Sequence, residues 1–377
     1  MNTDNNIAIV IPCFNRTDTL SLLLKSLKNA KYPVNVNLVF SIDYSGNDAV
    51  WKMANGFQWD NGEKIIIQHK ENIGLRENIL SCGDLTDKYD AVIILEDDLL
   101  VSPFFLEYAY RALKFYGDDT NIAGISLYSY RISESLREFN PISNGYDTFF
   151  MQWTSSWGQM WTKSQWKEFK EWYKLHKDDI SQIPIPEYVK GWPHSWKKYH
   201  IAYLTDTNKY FVYPTVSFTT IQPTLGVHVS EVRFDKGYIV PLCNGVQRDF
   251  IFKEFSEGFA YDCFFEMKKI LIEYNGNKVY ADLNLYGEKK KENIHCEYFI
   301  SPKTIPHTEI KKQWGISMIP LETNIIDSVE GSGLYLYEAK SFSPVSLSPM
   351  EKVAFRVQLS EMERLCYYIH RLPALFK

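Results

Sequence analysis

The sequence predicts an α/β protein: a Rossmann-like, mainly parallel sheet with flanking helices, followed by a C-terminal α+β extension. Three observations point there. Apolar runs rich in β-branched residues recur at residues 7–11, 36–42, 65–67 and 91–95. None keeps a strict polar–apolar alternation, which is the pattern of strands buried on both faces. Between the first two runs, Leu20, Leu23, Leu24 and Leu27 fall at helical spacing, so strand and helix alternate and the connections are right-handed crossovers. Each run also ends in polar residues. These gather in one crevice outside the carboxyl ends of the strands, where open α/β sheets bind ligands.

Taken in order, the first strand closes at Pro12, and Cys13-Phe14-Asn15-Arg16 is the turn after it. Thr17 or Asp18 then caps the leucine-bearing helix. The second strand ends in Asp43-Tyr44-Ser45-Gly46-Asn47, and the third leads through His69 to Glu71-Asn72-Ile73-Gly74-Leu75-Arg76. A helix from about Arg76 to Cys82 precedes the fourth strand. Neither G-x-G-x-x-G nor a P-loop follows any of them. A bound diphosphate would therefore need a metal to carry its charge.

The fourth run, Ala91-Val92-Ile93-Ile94-Leu95, leads straight into Glu96-Asp97-Asp98. Unpaired carboxylates are too costly to bury within a strand, so they project from its end. Three crowded acids repel one another unless a cation sits among them. Mn²⁺ or Mg²⁺ suits such a place, binding through one or two carboxylates and substrate phosphates. The structural alternative is an acidic helix start stabilised by the helix dipole.

At 377 residues the chain is long enough for two domains, and 45% hydrophobic content excludes a disordered chain. A net charge of −5 argues against a nucleic-acid binder. Aromatic residues make up 15%, enough to line a carbohydrate surface beyond the core. The six cysteines are scattered without a C-x-x-C pair, which fits reduced thiols rather than a disulfide framework or a zinc site. Residues 1–6 are polar, and no apolar run reaches the roughly 18 to 20 residues that span a bilayer. The expectation is a cytoplasmic protein, with peripheral contact at the inner face of the plasma membrane left open.

The strand–Pro12-Cys13-Phe14-Asn15-Arg16–helix unit, the strand ending in Asp43 and the strand ending in Glu96-Asp97-Asp98 together resemble an inverting GT-A glycosyltransferase. The likeness is to family-2-type bacterial enzymes and to the N-acetylglucosaminyltransferase I family. In the latter the metal-binding triplet is likewise Glu-Asp-Asp, followed by an apolar-Pro-Phe-Phe helix start such as Val101-Ser102-Pro103-Phe104-Phe105 here. The resemblance continues through residues 122–126, 146–150 and 153–161 and spans roughly residues 7–230.

It implies metal-dependent transfer of a hexose, N-acetylglucosamine or another, from a nucleotide sugar, with UDP favoured over GDP. The acceptor would be a hydroxyl of a bacterial surface glycan or its lipid-linked precursor. Carried over residue by residue, Pro12, Cys13, Arg16 and Asp43 hold the nucleotide, Asp43 accepting from uracil or ribose. Glu96 and Asp97 lie near ribose and sugar, Asp98 ligates the metal, and Asn72 and Arg76 make further donor contacts. His228, in the closing loop after residues 210–214, approaches the metal or the diphosphate. Trp153 and Trp157 fall on the acceptor side. The structural alternatives are a core role for Cys13 and a turn role for Asp43.

An inverting transfer needs a general base for the acceptor hydroxyl. In the families resembled it is an aspartate between two tryptophans. Here the frame is Trp192-Pro193-His194-Ser195-Trp196, with no aspartate in the gap. His194 can serve, since imidazole titrates near neutrality, and Glu187 is a second candidate. The missing aspartate also keeps open a catalytically degenerate glycan-binding or scaffold protein. A sugar nucleotidyltransferase is a further rival, disfavoured because residues 12–16 form no Gly-rich loop.

Three segments follow: a glycosyltransferase domain over 1–235, an accessory α+β region over 236–345, and an amphipathic helix over 346–377. In the accessory region Tyr274-Asn275-Gly276-Asn277 signals a hairpin turn. Glu288-Lys289-Lys290-Lys291-Glu292 reads as an exposed turn. The last helix opens with a Ser348-Pro349-Met350-Glu351 capping box and would rest on a membrane surface, its own domain or a second subunit.

Overall fold

A computed structural model of the chain describes residues 6–135, 137–222, 238–245 and 249–343. The chain divides into two compact units, one of residues 1–130 with 143–263, the other of residues 131–142 with 264–377.

In the first unit, β1 (Ile7–Cys13), β2 (Asn37–Ile42), β3 (Lys64–Gln68) and β4 (Ala91–Ile94) are all parallel, with Val10 opposite Val39 on one side and Ile94 on the other. The helices α1 (Thr17–Lys28), α2 (Ala49–Gly56) and α3 (Gly74–Asp84) make the crossovers. Ile9, Ile11, Phe40 and Ile93 are fully buried, because a sheet covered on both faces leaves its inner strands no polar side. α1 buries Leu20, Leu23, Leu24 and Leu27, the stripe expected from its spacing.

The chain continues through β5 (Leu99–Val101), α4 (Phe105–Tyr116), β6 (Ile122–Ser126), β7 (Thr148–Met151), β8 (Gln159–Thr162), α5 (Lys163–His176), α6 (Glu187–Lys190), α7 (Lys197–Asp206), β9 (Tyr210–Pro214), β10 (Thr219–Ile221) and β11 (Ala260–Tyr261). The main sheet has nine strands in the order β11-β7-β9-β6-β8-β4-β1-β2-β3. β8 is inserted antiparallel between β4 and β6 and leads into α5 through a Thr162–Gln165 capping box. The short β5 leaves this sheet to pair with β10.

The second unit is a five-stranded sheet in the order β12-β13-β14-β16-β15, with β12 (Ile270–Tyr274), β13 (Asn277–Leu283), β14 (Tyr298–Ser301), β15 (Lys312–Gly315) and β16 (Gly333–Glu338), plus α8 (Leu321–Ile326). The β12–β13 hairpin turns at Asn275 and Gly276, both at positive φ (51° and 73°), as a two-residue turn between twisted strands requires. The run at 288–292 is exposed as expected at Glu288, Lys290, Lys291 and Glu292, but not at Lys289. Lys289 is buried, pairs with the buried Glu266 at 3.4 Å and donates to the Leu283 carbonyl at 2.6 Å. A carboxylate at that depth requires a counter-ion, and Lys289 provides it.

The first unit extends past the expected boundary at 235 to Cys263, and residues 131–142 leave it between β6 and β7 to join the second. The expected helix over 346–377 lies outside the described residues.

Candidate active site

Adjacent parallel strands bring three loop starts together at one sheet edge. Arg16 follows β1 at the N-cap of α1, Asp43 follows β2, and Glu96-Asp97-Asp98 follow β4. The Arg16 guanidinium donates to Asp98 Oδ2 at 2.7 Å and is ion-paired with Asp97 Oδ1. Burial works against its charge, but Asp98 and Asp97 more than offset that and hold it protonated above its ordinary range. Burial pushes the Asp97 carboxyl up to about 6, with Arg16 opposing. Burial, reinforced by Asp98, pushes Glu96 up to about 8. The three carboxylates thus crowd one edge, with Arg16 as a shared cation.

Asp98 is the member with capacity to spare. Its main-chain carbonyl accepts from Gln222 N–H at 2.9 Å, which fixes its backbone, while Oδ1 is buried without a hydrogen-bond partner. Among the described residues no group of three or more His, Cys, Asp or Glu side chains could cage a metal alone. One hard oxygen without a partner nonetheless suits Mg²⁺ or Mn²⁺, which take most ligands from substrate phosphates and water. His228 lies outside the described residues.

Asp43 takes the turn role named above. Its carboxylate accepts from the N–H groups of Tyr44, Ile73 and Gly74, each at 2.9 Å. It therefore ties the loop before α3 to the end of β2, and Gly74 meets it at a φ of +79°, where a side chain would be strained. About one of the carboxylate's roughly four acceptor positions stays unused. Asn72 is exposed beside this tie. Arg76, on α3, stacks over Tyr199 with 5.3 Å to the ring, and its Nε is buried without a partner.

Three expected contacts change character. Pro12 and Cys13 are buried in β1 and its end. The Cys13 thiol turns back to the Ile11 carbonyl at 3.5 Å, and its own carbonyl accepts from Asp43 N–H, so both serve the core rather than offering side chains to a nucleotide. Trp153 is fully buried edge-on to Trp192 and presents no face to an acceptor. Only Trp157, half-buried against Tyr128, Tyr130 and Tyr238, keeps an accessible edge.

These rings surround a cation that the sequence reading missed. Lys197, at the start of α7 and 6% exposed, bonds the Tyr130 hydroxyl at 3.2 Å. Its ammonium lies 5.4–5.8 Å from the rings of Trp153, Trp192, Trp157 and Tyr130. Cation–π attraction of that kind offsets part of the burial cost. Lys197 also acts on Glu96, opposing the upward push on its carboxyl. A lysine directly after the Trp192–Trp196 frame was the available signal. Of the two base candidates, His194 is exposed in a turn at a left-handed φ of 52°, and Glu187 is exposed on α6, pairing with Lys190 at 3.4 Å.

Residues 8–164 match the family model described as glycosyl transferase family 2. They form a family-2 glycosyltransferase domain. Its sheet is the GT-A-like, mainly parallel core described above. Among solved structures, S. aureus TarS 1-349 in complex with UDP-GlcNAc is similar at 14% identity over 60% of this chain and 61% of that one, with a TM-score of 0.40. A second structure of S. aureus TarS 1-349 is similar at 13% identity over 58% of this chain and 60% of that one, with a TM-score of 0.38. Mannosyltransferase PcManGT from Pyrobaculum calidifontis, in complex with GDP-Man and Mn2+, is similar at 14% over 57% of this chain and 58% of that one, with a TM-score of 0.34. The chain thus spans about three fifths of the length of these structures. No curated protein matches it in sequence. Among the described residues no helix is long and apolar enough to cross a membrane.

Proposed function

We propose that the glycosyltransferase domain transfers a sugar, with inversion, from a nucleoside diphosphate donor to a hydroxyl of a bacterial surface glycan or its lipid-linked precursor. UDP is favoured over GDP, and N-acetylglucosamine or another hexose is the sugar. The observation that carries the reading is the convergence of Arg16, Asp43 and Glu96-Asp97-Asp98 on one sheet edge within the matched domain. Asp43 orders the nucleoside wall and accepts from base or ribose with its remaining position. Glu96 and Asp97 face ribose and sugar, and Asn72 and Arg76 add donor contacts. Trp157 offers the acceptor an aromatic edge.

In the transfer, the acceptor oxygen bonds to the anomeric carbon as the bond to the diphosphate oxygen breaks. The acceptor proton passes to a base, His194 or, failing it, Glu187. A divalent ion, Mn²⁺ or Mg²⁺, held by Asp98 would neutralise the charge of the departing diphosphate. On this reading the protein works at the cytoplasmic side of the membrane, where a nucleotide sugar and a lipid-linked acceptor would meet. The second reading is a glycan-binding protein with a decayed site, and the gap between Trp192 and Trp196 favours it.

A thermal-shift panel of UDP, GDP and nucleotide sugars, each with Mn²⁺ and with chelator, tests the reading, because a ligand that binds only the native state raises its melting temperature. A metal-dependent rise with one nucleoside diphosphate is expected. No shift with any of them favours the decayed site. Consumption of nucleoside triphosphate would instead mark a nucleotidyltransferase.

A further inference from the structure

We infer that Arg16 is an exchangeable counter-ion, which occupies the carboxylates without donor and passes to the diphosphate when the donor and its metal arrive. The inference rests on the glycosyltransferase reading above and adds an order of binding to it. Arg16 bridges Asp97 and Asp98, so it neutralises the carboxylate that would hold a divalent cation, together with its neighbour. Its side chain is 30% exposed, against 4% for Asp97 and 21% for Asp98. The arginine is thus the partner with room to move, and the carboxylates are held by the strand end.

The pairing is also incomplete on one side. Asp98 gives Oδ2 to Arg16 and leaves Oδ1 buried without a partner. A dication at Oδ1 would lie beside a guanidinium already bound to the same carboxylate, and like charges at that range repel in a partly buried site. Metal alone is therefore disfavoured. A nucleoside diphosphate brings negative charge of its own, with paired phosphate oxygens that the planar guanidinium fork can grip. Arg16 can then leave the carboxylates without losing a partner, and the metal takes its place. Arg16 acts as a positioning residue, and metal and donor bind as one unit.

The test is titration of the full chain with Mn²⁺ followed by electron paramagnetic resonance, with and without UDP, for the wild type, Arg16→Gln and Arg16→Lys. In the wild type, Mn²⁺ alone binds weakly, and UDP tightens it. Removing the guanidinium should tighten Mn²⁺ alone by about tenfold or more while weakening UDP in the presence of Mn²⁺ by a similar factor. Arg16→Lys keeps a charge but loses the fork, so it restores weak metal binding without restoring UDP affinity. Unchanged Mn²⁺ affinity in Arg16→Gln, with UDP still bound in the wild type, overturns the inference and leaves the glycosyltransferase reading standing. So does a wild-type Mn²⁺ affinity that UDP does not alter, a comparison needing no variant. Failure of the wild type to bind any nucleotide with metal would sink both.

Discussion

Two clusters of buried charge, one in each unit, are built on opposite plans. In the second unit, Glu266 accepts from Leu285 N–H at 3.1 Å and Tyr286 N–H at 3.3 Å, and Lys289 supplies its counter-charge. Lys289 in turn donates to main chain, while Arg137 lies 3.7 Å from the Tyr286 ring and pairs with Glu288 at 3.5 Å. At the edge of the main sheet, Asp97 and Asp98 share one guanidinium and Asp98 keeps an oxygen unused. A buried carboxylate with a counter-ion of its own holds a fold together. An undersupplied cluster costs stability for as long as its charges lack partners.

The largest expected effect tests that distinction directly. Asp98→Asn should lower turnover by about 100- to 1,000-fold, the scale of a lost electrostatic contact in a reaction centre, with the melting temperature unchanged or raised. A variant that loses stability as well would make the sheet-edge cluster structural. Next, Lys289→Met should cost about 3–5 kcal/mol in urea unfolding, since it strands a buried carboxylate. Silence there would erase the contrast from the other side.

Two smaller effects concern pH. Glu96 is held up at about 8 from an ordinary value of 4.5, so the native state binds more protons than the unfolded chain between these limits. Its contribution is therefore present below about 4.5 and is lost as pH rises through about 8. Glu96→Gln should raise the melting temperature by a few degrees above pH 8, and by little near pH 4.5. His200 gives the opposite slope. Burial lowers it from 6.5 to about 3, with its Nδ1 2.8 Å from the Thr154 hydroxyl. It stays neutral in the native state, so stability falls as pH drops below 6.5, and His200→Gln should flatten that acid limb in a melting series. A variant as acid-sensitive as the wild type would assign the limb elsewhere.

The four parallel strands and their polar ends were legible because burial on both faces writes itself as uninterrupted apolar runs. Asp43, Arg16 and the acidic triplet followed, since each stands at such an end. The antiparallel β8 was not legible. Gln159-Met160-Trp161-Thr162 is too short to show a period, and its partners lie far away in sequence. Trp153 was misread for a related reason: a tryptophan carries no sequence mark of whether its face is open or packed. Cys13 belongs to the strand that precedes it, and only the direction of its thiol shows that. Lys197 and Lys289 were hidden by charge itself, which suggests solvent wherever no partner is visible in sequence.

The strap at 131–142 has a consequence for how the chain is assembled. It leaves the ribosome well before the rest of its unit, carrying Arg137 and Phe139, whose partners Tyr286 and Phe265 come more than a hundred residues later. The first unit therefore completes its sheet with a loop still waiting for its own core. Cutting the chain after Cys263 would release no clean domain. It would leave a strap of mixed apolar and charged residues without its destination, and a cell making such a fragment would hand that strap to its chaperones.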